Sequence, residues 1–197
     1  TVYTCRVSRV YITPMDSSEV HREHNAQLPS SQKKSVVLAG LAVAFSLFGD
    51  MTLYAVLPVH FEVLGLTPFQ VGVLLSANRW VRIITNQLAE RAIRHISPSM
   101  FMLLALLAGA ACTAVYGLAP PFLFFLTARL VWGLCWSFLR QIGVMNAIGS
   151  SEEGRIGRMV GFYNGTVRLG FVFGNFAGGL LFDALGYRHV FLLMAVL

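Results

Sequence analysis

GFYNGTVRLGFVFGNFAGG, residues 161–179, places five of its six glycines in helical columns. Gly170, Gly174 and Gly178 fall four apart, so in a helix they stack on one face. Gly161 and Gly165 form a similar column a turn or two earlier. In a water-soluble helix each glycine would cost about 1 kcal/mol relative to alanine. In lipid, small residues instead let two backbones approach closely. Arg168 lies in the same stretch. The segment reads as a membrane helix packed against a neighbour, carrying a charge that needs a partner.

Composition extends this reading to the chain. Of 197 residues, 56% are hydrophobic and 12% charged, with a mean hydropathy of +0.66. Soluble domains carry about 25% charged residues, so the class is an all-α, multi-pass membrane protein. The net charge is +6. Its cations sit at segment ends or singly inside apolar runs and make no basic face, so no nucleic-acid partner is expected. Cys5, Cys112 and Cys135 have no metal or redox spacing, and no metal is expected. Residues 1–35 read as a polar cytoplasmic tail without a secretory signal, and Met15 offers an alternative start. The chain stops at VFLLMAVL (190–197), within an apolar run. A span needs ~20 residues, so the sequence reads as truncated there.

Apolar runs of helix length occupy about 36–61, 69–89, 98–118, 121–148 and 159–182, and a sixth begins near Val190. Strict alternation is absent, which argues against a β-barrel. Short links make sequence neighbours antiparallel. Lys33, Lys34, Arg91, Arg94, Arg155 and Arg158 then fall on one side, and Arg188 alone on the other. The positive-inside rule places the N-terminus in the cytoplasm. The expected setting is the plasma (inner) membrane.

Ionisable residues interrupt these spans. Asp50 lies near the middle of the first, Arg79 and Arg82 in the second, Arg129 and Arg140 in the fourth, and Arg168 in the fifth. The third has none. A charge at mid-bilayer costs ~2.5–3.5 kcal/mol even on the lenient insertion scale, so such groups face protein or a wet cavity. Spans 1, 2, 4 and 5 are therefore expected to meet at a cavity, with span 3 toward lipid. Arg79, Arg82, Asn86 and Glu90 form one helical stripe; Arg129, Gly133, Ser137 and Arg140 form another. Asp50 is a proton carrier if its carboxyl can exchange, or a structural counter-ion if Arg79 pairs with it permanently. One acid cannot balance several cations, which points to an anionic substrate or to acids elsewhere.

Span 2 (VGVLLSANRWVRIITN, from Val71) also echoes span 5 (VGFYNGTVRLGFVFGN, from Val160). Arg79 parallels Arg168 and Asn86 parallels Asn175. A three-plus-three inverted repeat would relate these two spans, as in many transporters.

These features resemble the major facilitator superfamily of secondary transporters. The stretch Asn86-Gln87-Leu88-Ala89-Glu90-Arg91-Ala92-Ile93-Arg94-His95 is similar to its G-x-x-x-D-R-x-G-R-R signature, with Asn86 and Ile93 in place of the glycines. Arg129 followed by Gly133 resembles its span-4 R-x-x-q-G element, with Trp132 in place of glutamine. Gly161, Gly170, Gly174, Gly178 and Gly179 occupy the glycine places of its antiporter signature, with Asn175 in place of proline. The resemblance covers 36–197 and implies the N-terminal half of a transporter of twelve or more spans. That half would be a six-helix bundle, five helices complete here and the sixth begun, with a second half-bundle as partner.

It further implies alternating access around a midplane site. The expected function is proton-coupled antiport exporting a small molecule, driven by a proton gradient with no cofactor. Asp50 is the candidate proton carrier. Arg79, Arg82, Arg129, Arg140 and Arg168 are candidates for substrate binding or charge balance, as are Asn78, Tyr54 and Trp136. Asn86, Glu90, Arg91, Arg94 and His95 would form the cytoplasmic gate. Uptake or exchange of an organic or inorganic anion on the arginines is the alternative within transport. A scaffold or signalling membrane protein is the alternative outside it. Catalysis is not expected, since the deep polar residues make no nucleophile–base pair or paired acids.

Overall fold

The computed structural model describes residues 30–93, 97–119, 121–151 and 154–197. They form five helices: α1 (Ser30–His60), α2 (Pro68–Ile93), α3 (Pro98–Gly117), α4 (Phe122–Gly149) and α5 (Ile156–Val196). No strand occurs among the described residues. The residue-1–29 tail, Arg94 and His95 lie outside them.

Local chemistry sets the helix ends. Before α2 the chain turns at Gly65, whose φ is +66°. Thr67 and Gln70 then cap each other: the Gln70 amide donates to Thr67 Oγ1 (3.3 Å) and the Thr67 amide to Gln70 Oε1 (2.9 Å). This reciprocal box satisfies two otherwise orphaned donors, and Pro68 follows with a preset φ. Pro98 likewise opens α3 with a preset φ, but no side chain caps that end. α5 spans 41 residues but is broken at Gly186 (φ 74°, ψ 170°), a geometry that suits glycine. Phe182 stacks on His60 at the C-terminal end of α1. After the break, Met194–Leu197 share a groove with Ala42 and Phe45, several turns earlier in α1. The chain therefore reverses at Gly186 and runs back along the bundle. The sequence puts a loop at 183–189 and a new helix near Val190; the structure turns at one residue.

α1, α3, α4 and α5 are long and apolar enough to cross a membrane. α2 is not apolar enough, a departure from the five apolar spans expected. Its 26 residues reach ~39 Å, beyond a hydrocarbon core of ~30 Å. Trp80, Ile83, Ile84 and Leu88 are among its exposed large apolar residues.

Two parallel helix pairs organise the bundle. In the first, Gly40, Ala44, Phe48 and Thr52 of α1 meet Thr166, Gly170, Gly174 and Gly178 of α5 at a constant offset. A Cβ on Gly170 would lie 2.6 Å from the Ala44 Cα, and one on Gly174 2.9 Å from the Met51 Cβ. Thr52 Oγ1 donates to the Gly174 carbonyl (3.3 Å). The ladder's packing partner is thus α1. Gly161, Gly165 and Gly179 differ: nothing lies within 4 Å of where their Cβ would be. They occupy the opposite face of α5, so the second column does not pack within this bundle. In the second pair, Asn78 and Val81 of α2 lie against Gly133 of α4, and Thr85 shares a hydrogen bond with Ser137 (2.7 Å).

α3 has one exposed apolar face and one packed face. Met100, Leu103, Leu104 and Leu107 are exposed. Its other face holds Gly109 against Trp132, Thr113 against Gly49, and Gly117 against Phe191. It also carries the buried Tyr116 to the centre of the bundle.

Candidate functional site

A cavity of about 280 Å³ opens where α1, α2, α4 and α5 converge. α1 contributes Asp50, Met51 and Tyr54; α2 contributes Asn78, Arg79 and Arg82. Trp136 comes from α4, and Phe171 and Asn175 from α5. These are the four spans with mid-membrane charges.

The deepest element of the site is an ion pair between Asp50 and Arg129. Both are buried, Arg129 completely. Arg129 Nε donates to the Leu74 carbonyl (3.1 Å). Its guanidinium lies 5.0 Å from the Tyr54 ring centre and 5.9 Å from that of Tyr116, a setting of cation–π attraction. Its Nη2 has no hydrogen-bond partner among the described residues. The second Asp50 oxygen receives Asn78 Nδ2 at 3.5 Å. Taking a lone ion from water costs several kcal/mol, so removing either partner would strand a charge.

This pairing replaces the Asp50–Arg79 pair considered from sequence. The reason is angular. Adjacent residues on a helix point ~100° apart. Asn78 sits on the α2 face buried against α4, and Arg79 swings to the exposed cavity edge. Arg129 occupies the α4 face that looks back at Asp50.

Arg79 and Arg82 both line the cavity. Arg82 Nε donates to the Asn78 carbonyl (3.1 Å), which fixes its guanidinium. Neither has a carboxylate within ion-pair distance among the described residues. Tyr54 hydroxyl donates to the Leu75 carbonyl (3.0 Å), locking α1 to α2. Trp136 and Phe171 pack edge to face, centroids 6.0 Å apart.

Other sequence candidates lie elsewhere. Arg140, Asn86 and Glu90 line a second cavity of about 370 Å³ with Gln87, Ser137 and Gln141. Arg91 is exposed at the end of α2. Arg168 is exposed on α5 and lines neither cavity, so its parallel with Arg79 does not extend to the same site. Asn175 lines the first cavity, its Nδ2 donating to the Phe171 carbonyl (2.8 Å). Met51, Phe171 and Tyr116 were not singled out from sequence. Phe171 lies one helical turn before Asn175, and Met51 one turn before Tyr54, so each shares a face with a residue that the sequence singles out. Tyr116, on the uncharged α3, has no such signal.

The Major Facilitator Superfamily model matches residues 39–197. Over 160 residues the chain is 21% identical to an uncharacterized MFS-type transporter of Methanocaldococcus jannaschii. That alignment covers 81% of this chain and 41% of the relative, so the chain spans about two-fifths of that protein's length.

Proposed function

Since the chain belongs to the major facilitator superfamily, a family of secondary transporters and not of enzymes, we propose that it forms the substrate-binding half of a proton-coupled antiporter. The observation that carries this reading is the buried Asp50–Arg129 pair, whose Asp50 lines the four-helix cavity. A proton on Asp50 would cancel the pair and leave Arg129 seeking another anion. Proton binding and cavity electrostatics are then linked through one contact. The bundle would rock against a second half-bundle, exposing the cavity to each side in turn.

A three-plus-three inverted repeat is part of this reading, and packing supports it. In the register set by Arg79 with Arg168, the α2 residues Val81, Thr85 and Ala89 correspond to Gly170, Gly174 and Gly178. Val81 and Thr85 face α4, and the glycines face α1. Ala89 is fully buried. Equivalent faces thus serve equivalent pairings, α2 on α4 and α5 on α1. The segment after Gly186 takes the place of the sixth helix. The exposed basic ends at Lys34, Arg91 and Arg158 favour a cytoplasmic N-terminus.

Flux from proteoliposomes holding the full-length protein tests the coupling. An imposed inward proton gradient should drive substrate out against its own gradient. Efflux indifferent to the proton gradient would remove antiport and leave facilitated diffusion.

A further inference from the structure

The cavity has a charge that its own residues do not balance. Asp50 is its only carboxylate, and Arg129 already occupies it. Arg79 and Arg82 add two cations three residues apart on one helical face. With Nε held on the Asn78 carbonyl, Arg82 makes no other hydrogen bond among the described residues. Its two terminal amino groups are a fixed fork, the geometry that takes a carboxylate in two parallel bonds. Arg79, one turn away, repels it unless an anion comes between them.

Tyr54, Asn78 and Asn175 add neutral polar groups to the wall, and its remaining side chains are apolar. Trp136 and Phe171 meet at 90° and form a corner, with Leu47 and Met51 beside them. Such a corner accepts a planar apolar body by stacking and edge contact. At about 280 Å³ the space lies near the small end of small-molecule sites.

We infer that the transported substrate is a small planar organic anion, a carboxylate held by the Arg82–Arg79 pair with its ring in the Trp136–Phe171 corner. This rests on the transporter reading and assigns the substrate class of that cavity. A cation would meet two uncompensated guanidiniums. A neutral isostere would leave both unpaired. Inorganic anions would satisfy the arginines but leave the aromatic corner to water.

Equilibrium binding to the purified full-length protein tests this without any gradient. The probes are radiolabelled benzoate and naphthoate, competed with their amides, with benzylamine and with inorganic phosphate. The carboxylates should bind ~10-fold or more tightly than their amides, as expected for a charge-assisted hydrogen-bonded pair. Benzylamine and phosphate should compete weakly. Arg82→Gln should lose ~10-fold or more of the carboxylate affinity, while Arg82→Lys keeps part of it. Trp136→Ala should weaken naphthoate more than benzoate. Amides or benzylamine binding as well as the carboxylates, in the unaltered protein, would overturn the assignment, as would phosphate competing as well as benzoate. Proton-driven flux of another substrate with no carboxylate binding would sink this assignment alone. Carboxylate binding without proton-driven flux would sink the antiport reading alone.

Discussion

Asp50 and Arg129 show how a residue that is costly in lipid becomes tolerable. Arg129 is fully buried and Asp50 nearly so, at the cavity wall, and each neutralises the other. Arg129→Leu should therefore destabilise the protein by ~3–5 kcal/mol, because it strands Asp50. Asp50→Asn combined with Arg129→Leu should cost less than Arg129→Leu alone. Thermal unfolding of purified variants checks the ordering; a double variant worse than the single one would refute it. That a mid-membrane acid needs a basic partner was legible in the sequence. Which partner was not. Depth along the helices favoured Arg79, and only the rotation of α2 against α4, set by Gly133 and by Thr85 with Ser137, turns Arg79 aside.

At the scale of elements, α1 and α5 are matched parallel surfaces. The Gly170–Gly174–Gly178 spacing announced a close-packed face, and the structure supplies its partner in Ala44, Phe48 and Thr52. Gly170→Leu should disrupt this pair, since even a Cβ there lies 2.6 Å from the Ala44 Cα; overpacking costs about 1–3 kcal/mol or more. Gly157→Ala, with nothing within 4 Å, should change stability little, by ~0.5 kcal/mol or less. Equal losses in thermal unfolding would contradict the packing. Cysteines at Gly40 and Thr166 test the register directly. A Cβ on Gly40 would sit 3.2 Å from that of Thr166, close to the ~3.5–4.5 Å range of disulfides. Oxidation should join them, and should not join Gly40→Cys with Gly161→Cys, on the outer face of α5. Sequence spacing could not distinguish the packed glycines from Gly161, Gly165 and Gly179, because both columns have helical periodicity. Their difference lies in the rotation of α5 against α1.

Across the molecule, charge sorts by end and by depth. Lys34, Arg91, Arg155 and Arg158 cluster at the end where α1 and α5 begin and α2 finishes. Glu62 and Arg188 lie at the other. An impermeant thiol reagent applied to intact cells should label Glu62→Cys, and should reach Gly157→Cys only after permeabilisation. The reverse pattern would invert the topology. The helical membrane architecture was readable from apolar runs and short links. The sequence around Gly186 reads as a longer loop, because one glycine with a positive φ leaves little trace in composition. In the proposed antiporter the Asp50–Arg129 contact couples protons to substrate movement. Proton-driven flux through Asp50→Asn/Arg129→Gln, in which the pair itself stays neutral, tests this coupling. The variant should still bind substrate but no longer move it against its gradient when a proton gradient is imposed. Uphill transport equal to that of the unaltered protein would overturn the coupling.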